Sequence, residues 1–382
     1  MAWVNAVPLV ASLLALGFGL SGCSDEYKDD GHRAPSHVLL PDTNSTAPKE
    51  VRLTWFGISN WIIKIGDLDI MMDGYMTRIP QDNFYGGGGG LAYTRTAWPI
   101  DKAAVDKIYG VLRNGPGGGP VDLLLTGHSH FDHSFDTPYW AQITKAPIIG
   151  SKTTCLQVQA LGVPATQCTP MQGGEAIPLN NYVTMRVVRW NHSGTHETNP
   201  EQHDPVELQA VPVPDGNGNL RGGVAEDFPN GGNRGYLFTV KTAGNGQLTF
   251  FVTNSGAAQD LDTDVIIDGK TYGAPLGSLR TTMQSALLDS VDLWIGAGGQ
   301  PVAALTLPVL KPKAFVPNHQ GSFYAPFEQG NTAPFQDVVL TSYLASNNVN
   351  LVRPAQYLDA WVLDANGVRP VDNSAMKQAY GF

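Results

Sequence analysis

The stretch LLLTGHSHFDHSFD, residues 123–136, places three histidines and an aspartate within six residues, directly after a run of apolar residues. The apolar run predicts a buried strand, and the HxHxDH cluster begins just past its C-terminal end. Imidazole nitrogen and carboxylate oxygen are ligands for zinc, manganese or iron, and the stretch contains no cysteine to complete a closed structural site. Histidines crowded together without a ligand would repel one another or be buried unsatisfied. A catalytic type of metal site is therefore predicted at His128, His130, Asp132 and His133.

The composition excludes some functional classes. The 382-residue chain has a formal charge of -10, and its 24 Lys and Arg residues form no basic run, which argues against a nucleic-acid partner. Its 43 glycines and 27 prolines, with only 15% charged residues, indicate a loop-rich protein with short elements. A chain of this length can bury a large core, so we expect a globular protein.

The N-terminus has the features of an export signal. The apolar run VPLVASLLALGFGL, residues 7–20, is short for a bilayer span and is followed by small residues, so residues 1–22 are predicted to be a signal peptide. The sequence LSGC, which ends at Cys23, resembles a bacterial lipobox. This resemblance implies a lipid on Cys23 and an exported lipoprotein of the cell envelope, facing the periplasm or the outer surface. The stretch MAWVNAV at the start has no Lys or Arg, so a plain cleaved signal or a buried apolar helix stays open.

The rest of the chain divides into a tether and one domain. Residues 23–50 are polar, punctuated by proline and without periodicity, which predicts a flexible tether before a folded domain over 51–382. The domain opens with apolar alternation typical of paired strands. A helix is predicted over 101–114, and Asp136 is predicted to cap another in TPYWAQITK. Strands dominate the middle and helices follow again, which predicts an α/β fold with two facing sheets and helices outside.

HxHxDH after an apolar strand resembles the signature of the metallo-β-lactamase superfamily. The opening LTWFGISNWIIKIGDLDIMMDG is similar to the first strands of its L-ascorbate-6-phosphate lactonase-like branch, in which the aspartate matching Asp73 supports the metal loop. The resemblance implies a four-layer αββα fold with two facing mixed sheets. It also implies a metal-bound hydroxide that hydrolyses a small-molecule ester, lactone or phosphodiester. Zinc is the expected metal, as one or two ions, with manganese or iron as alternatives.

The same resemblance implies two sets of metal ligands. One set is His128, His130 and His192, and the other is Asp132, His133 and His319. Asp132 is further expected to orient the attacking water and to pass its proton to the leaving group. His192 lies at the end of the predicted strand in MRVVRWNH, and a strand end fixes a side chain better than a loop interior. We therefore prefer His192 as the third ligand, with His196 as the alternative.

One position departs from the family pattern. Hydrolytic members usually carry an aspartate that bridges both metals, and Asn254 stands at the matching place in VTNSG. A neutral amide is a weaker ligand, so the second metal should bind more weakly and the number of metals stays open. Two other functions also stay open. One is hydrolysis of β-lactams, and the other is a lipoprotein that binds metal or substrate without turnover.

The long segment 193–235 shows little periodicity. Loops of this length commonly form lids or binding walls, and we expect this one to form a wall of the substrate pocket. His196 and His203 within it are expected to be solvated rather than to bind metal. Cys155 and Cys168 either pair in an exported protein or remain two buried thiols.

Overall fold

The computed structural model describes residues 46–85, apart from the side chain of Tyr85, and residues 94–382. The predicted signal peptide, Cys23 and most of the predicted tether lie outside these residues. Elements are numbered below in chain order. Within the described ranges, no helix is both long and apolar enough to cross a membrane.

The first large sheet has eight strands, in the order β19-β18-β1-β2-β3-β5-β6-β7. Its half from β19 to β3 is antiparallel and its half from β3 to β7 is parallel, so the sheet is mixed. The strands are β1 (Val51–Trp55), β2 (Trp61–Ile65), β3 (Leu68–Met72), β5 (Leu123–Leu125), β6 (Ile148–Gly150), β7 (Cys168–Pro170), β18 (Ala360–Asp364) and β19 (Gly367–Val371).

The second large sheet has seven strands, in the order β17-β16-β15-β12-β11-β9-β8, and is also mixed. Its strands are β8 (Ala176–Pro178), β9 (Val183–Trp190), β11 (Asn233–Lys241), β12 (Gln247–Val252), β15 (Leu293–Gly296), β16 (Ala314–Pro317) and β17 (Asn350–Leu351). Two small antiparallel ribbons pair β4 (Ala97–Trp98) with β10 (Leu220–Arg221) and β13 (Ile266–Ile267) with β14 (Lys270–Thr271).

The helices are short, as the composition predicts. They are α1 (Gln81–Tyr85), α2 (Lys102–Asn114), α3 (Phe131–Ser134), α4 (Thr137–Thr144), α5 (Lys152–Ala160), α6 (Pro200–His203), α7 (Pro275–Ser285), α8 (Gly299–Leu310), α9 (Val338–Ser346) and α10 (Ser374–Tyr380). The helix predicted over 101–114 is confirmed as α2, which buries Val105 and Ile108 and begins where the Asp101 carboxylate accepts a hydrogen bond from the backbone of Ala104.

The packing of the two large sheets defines the layers. The largest apolar cluster joins side chains of the first sheet, such as Leu53 and Ile70, to side chains of the second, such as Val187 and Phe238. A second cluster lies between the other face of the second sheet and helices α7, α8 and α9. Burial of apolar surface on both faces of a sheet is what holds a layered domain together. The predicted fold class, two facing mixed sheets with helices outside, is confirmed.

Two local expectations have different outcomes. Cys155 and Cys168 form a disulfide. Asp136 occupies the position before α4, but its carboxylate makes no capping bond, so that prediction is wrong. It accepts hydrogen bonds from the backbone N–H groups of Met76 and Thr77 and from the Thr77 hydroxyl. The loop after β3 brings these donors to the buried carboxylate. The carboxylate therefore bonds to them and not to the N–H groups at the start of its own helix.

Candidate metal centre

The histidine cluster lies at the C-terminal end of β5, a buried strand in the parallel half of the first sheet. Gly127 connects the strand to the cluster. Its N–H donates to the Asp73 carboxylate over 3.0 Å, and its carbonyl accepts from the backbone of Arg234 over 2.8 Å. A Cβ at this position would lie only 2.1 Å from Nδ2 of Asn254. Glycine is therefore required by the close approach of the Asn254 side chain to the backbone.

The first predicted ligand set is brought together. His128 Nε2 lies 3.1 Å from His130 Nδ1, and the His192 ring centroid lies 4.6 Å from each of the other two ring centroids. One ligand atom from each of the three residues lies within 4.8 Å of the others. His192 follows β9 after a single intervening residue, so the end of this strand places its ring beside the HxHxDH loop.

The second set is arranged somewhat differently from the expectation. His128, Asp132 and His133 form the group whose ligand atoms lie within 4.8 Å of one another. Asp132 Oδ2 lies 3.3 Å from His133 Nε2 and 3.1 Å from His319 Nε2. His319 thus reaches Asp132, but it is not a member of either compact group among the described residues. All six predicted ligands nevertheless belong to one continuous cluster.

His133 differs in charge from His128, His130 and His192. Burial lowers the pKa of His130 to about 3 and holds that of His128 and His192 well below the usual range, so these rings are neutral. Burial would also lower the pKa of His133, but the carboxylates of Asp132 and Asp73 raise it to about 10. The centre therefore favours positive charge at the position between these two carboxylates.

The donor atoms fit a divalent cation. His130 Nε2 is buried and makes no hydrogen bond, which would normally cost about 1–3 kcal/mol. His133 Nε2 is likewise buried without a hydrogen bond, beside the Asp132 carboxylate. Neutral imidazole nitrogens and a carboxylate are the ligands that zinc and similar ions take in open catalytic sites.

Asp73 and Asn254 fix the rings of His133 and His128 through hydrogen bonds to their Nδ1 atoms. Asp73 Oδ2 accepts hydrogen bonds from His133 Nδ1 over 2.7 Å and from Asn254 Nδ2 over 3.0 Å. Asn254 Oδ1 lies 3.1 Å from His128 Nδ1, which donates to it. With both Nδ1 atoms bound in this way, the Nε2 atoms of His128 and His133 face away from Asp73 and Asn254. They lie 3.1 Å from His130 Nδ1 and 3.3 Å from Asp132 Oδ2, respectively, where a metal ion would be held. Asn254 thus contacts two predicted ligands through their Nδ1 atoms.

Asp73 has φ of 60° and His319 has φ of 57°, both in the left-handed region. Residues other than glycine adopt this backbone conformation infrequently, although aspartate and histidine do so more readily than most. Asp73 directly follows β3, and His319 follows β16 after one intervening residue. The turned backbone directs their side chains toward the cluster at the sheet edge.

The other two loop histidines are placed differently from one another. His196 is exposed, lies outside both compact groups and contacts Asp204 Oδ2 over 2.8 Å. His203 is buried, so its predicted solvation is wrong. Its Nδ1 contacts the carbonyl of His192 over 3.0 Å, and its Nε2 lies 3.0 Å from Asp260 Oδ2. Burial of His203 depends on the folded path of α6, which no short pattern in this segment indicates.

A cavity of about 460 Å³ adjoins the centre, and His192 lines it. As expected, the segment 193–235 contributes to its wall, through residues that include His203 and Asn230. Residues 260–268 contribute another part of the wall. A cavity of this volume is large enough for a small organic molecule.

Comparison with known proteins finds distant relatives. No family model matches the chain. The chain is 22% identical over 274 residues to a "UPF0173 metal-dependent hydrolase" of Pyrobaculum arsenaticum, a match that covers 72% of this chain and 85% of the relative. A protein of the same name from Herpetosiphon aurantiacus is 42% identical over 59 residues, which is 15% of this chain and 24% of that protein.

Solved structures show a limited likeness. Igni18, a metallo hydrolase from Ignicoccus hospitalis, aligns with a TM-score of 0.45 and 14% identity, over 82% of this chain and 99% of its own. YhfI of Bacillus subtilis, a metallo-beta-lactamase fold protein, aligns with a TM-score of 0.41 and 12% identity, over 82% and 99%.

Proposed function

We propose that this chain is a metal-dependent hydrolase that acts on a small ester, lactone or phosphodiester. The observation that carries the proposal is the largely buried His and Asp cluster, whose ligand atoms converge. Two of its ring nitrogens, His130 Nε2 and His133 Nε2, are buried and make no hydrogen bond. The relatives named metal-dependent hydrolases support the same class of activity. The likeness of the opening strands to the lactonase-like branch favours esters and lactones within that class.

Zinc is the metal that we propose for the centre. When bound, a divalent cation polarises the bond under attack and lowers the pKa of water to about 7, which supplies a nucleophile at neutral pH. His128, His130 and His192 would hold one ion. Asp132 and His133, with His319 beside Asp132, would hold a second. Manganese and iron accept the same ligands and are therefore included in the reconstitution below.

The chain's own residues position the reacting groups. Burial alone would raise the pKa of Asp132, but His133 and His319 hold it well below the usual range of a carboxyl group. Asp132 is therefore an anion, suited to bind a cation and to accept a hydrogen bond from the attacking water. Asp73 fixes the His133 ring, and Asn254 fixes the His128 ring, so that neither ring has to reorient during the reaction.

Hydrolysis assays test the proposal. The full chain is stripped with a chelator, reloaded with zinc, manganese or iron, and offered chromogenic esters, a lactone, bis(p-nitrophenyl) phosphate and a chromogenic cephalosporin. We expect metal-dependent turnover of an ester, lactone or phosphodiester that Asp132→Asn lowers by at least about a hundredfold. The exposed Asp67→Asn serves as a control with the same change of charge. Turnover of the cephalosporin alone would favour a β-lactamase, and metal binding without turnover would favour a binding protein.

We further propose that the protein is an exported lipoprotein, attached to the membrane by a lipid on Cys23. The LSGC sequence supports the lipid, and the disulfide between Cys155 and Cys168 is typical of an oxidising compartment outside the cytosol. Mass spectrometry of the mature N-terminus tests this. A diacylated Cys23 is expected, whereas an unmodified N-terminus at another residue would contradict the proposal.

A further inference from the structure

Part of the wall of the cavity beside the metal centre is apolar. Trp190, Pro205, Val206, Val265 and Ile266 are among the residues that line its volume of about 460 Å³. Since His192 belongs both to this wall and to the compact group with His128 and His130, a molecule in the cavity lies directly beside the proposed metal. The cavity is therefore the place where the part of a substrate next to the scissile bond would bind.

The polar part of the wall is acidic. Four aspartates line the cavity, and none of the described residues that line it is Lys or Arg. Two of the four lie beside histidines, at 2.8 Å for Asp204 with His196 and 3.0 Å for Asp260 with His203. Even with both of these histidines protonated, four carboxylates outnumber two imidazolium groups. The other two aspartates are Asp264 and Asp268.

Two asparagines add a second, independent observation. Asn230 and Asn233 are each only 1% exposed and line the same cavity. Their Nδ2 groups donate to backbone carbonyls, 3.1 Å to Gln202 and 2.9 Å to Asn191, which fixes which end of each amide is oxygen. The two Oδ1 atoms are buried and make no hydrogen bond. Buried acceptors of this kind need an N–H or O–H donor, and a molecule bound in the cavity that these residues line would supply one.

We propose that this cavity selects substrates whose leaving or acyl part is an organic cation, with a protonated amine or guanidinium on an apolar body. The carboxylates supply attraction, the asparagine oxygens accept the N–H groups, and the apolar residues cover the rest. Anionic groups are disfavoured at this wall by the same carboxylates. The proposal rests on the proposed hydrolase function for its reaction but not for its binding, which the cavity provides without the metal.

Binding of a simple cation to the full chain, measured by calorimetry in the presence of a chelator, tests the inference. The probes are 2-phenylethylammonium, its neutral analogue 2-phenylethanol, and the anion phenylacetate. We expect the ammonium to bind at least about tenfold more tightly than the alcohol, and phenylacetate to bind most weakly. Equal or weaker binding of the ammonium relative to the alcohol would overturn the proposal.

Aspartate variants locate the binding. Asp264→Asn is expected to weaken ammonium binding by roughly two- to fivefold, the strength of a solvent-accessible ion pair, and to leave binding of the alcohol unchanged. Asp289→Asn removes the same charge at an exposed position outside the cavity and should change neither. An equal effect of both variants would refute a local role for the cavity.

The outcome is independent of the hydrolase assay. A chain that hydrolyses esters with metal but shows no preference for the ammonium would refute only the cation selectivity. A chain that prefers the ammonium but never hydrolyses a substrate would refute only the hydrolase.

Discussion

Replacing Asn254 with aspartate tests how the histidine rings are held. Asn254 and Asp73 are both buried, with residue exposures of 0% and 2%, and the Asn254 amide donates to the Asp73 carboxylate over 3.0 Å. Asn254→Asp removes this donor and places two carboxyl groups at hydrogen-bond distance from each other. Both cannot ionise there, so one must keep a proton and its pKa must rise above its value in the unfolded chain.

The expected cost depends on pH. Near pH 4 the new carboxyl is protonated in the folded state and its O–H replaces the lost amide donor, so stability should fall by only about 1 kcal/mol. A carboxyl group whose folded pKa is raised loses stability as pH increases above its unfolded value of about 3.9. Because each tenfold change in a proton-binding equilibrium corresponds to roughly 1.4 kcal/mol, we expect a loss of about 3–5 kcal/mol near pH 7.

Urea unfolding of the metal-free chain at about pH 4.5 and about pH 7.5 measures this difference. The matched control is the swap Asp73→Asn with Asn254→Asp, which restores one amide and one carboxylate and should recover part of the stability near neutral pH. An Asn254→Asp variant that loses the same free energy at both pH values, or loses none, would refute the arrangement of Asn254 and Asp73 described above.

Three other predictions concern the scaffold around the centre. Gly127→Ala places a methyl group against Asn254 and should destabilise the fold by about 2 kcal/mol or more. Gly110→Ala, in α2 with no atom near its Cβ, should stabilise the fold by about 0.5–1 kcal/mol. Thermal unfolding in which the two variants change stability in the same direction would contradict this. Replacing Cys155 and Cys168 together with alanine should cost about 3 kcal/mol of unfolding free energy, because the disulfide closes a loop with a sequence separation of 13. Burial raises the pKa of Asp136 to about 6, so its ionisation reduces stability as pH increases from about 4 to about 6, and Asp136→Asn should remove that part of the pH dependence in denaturant titrations.

The fold and the main site residues could be predicted because their signals are local. Four of the six predicted ligands lie within six residues, and the apolar run before them is an ordinary strand signal. His192 and His319 were implied by the resemblance to the metallo-β-lactamase superfamily, and the strand end before His192 favoured it over His196.

The contacts of Asn254 could not be predicted in the same way. Its bonds to Asp73 and His128 join positions 181 and 126 residues apart, so they depend on how the two sheets face each other. Because the family pattern has a bridging aspartate at this position, the sequence predicted that Asn254 is a weak metal ligand. The structure instead shows the Asn254 amide bonded to Asp73 and to Nδ1 of His128. An amide can donate to Asp73, and a carboxylate cannot, which gives a physical reason for asparagine here.

The acidic cavity was also beyond sequence reasoning. The chain has 34 Asp and Glu residues, and nothing in the periodicity of residues 260–268 shows which of them face a cavity. That requires the folded paths of two irregular segments, 193–235 and 260–268, which both contribute to the cavity wall. The burial of His203, expected to be solvated, has the same origin.

The most direct test of the central claim is the metal content of the purified chain, measured by elemental analysis after loading with zinc and removal of the excess. The parent should retain one or two ions per chain. His192→Ala and Asp132→Ala should each lower that number, whereas His196→Ala, which changes an exposed histidine four residues away, should leave it unchanged. A parent that retains no metal, or a His196→Ala variant that loses as much metal as His192→Ala, would contradict the assignment of the buried cluster as the metal centre.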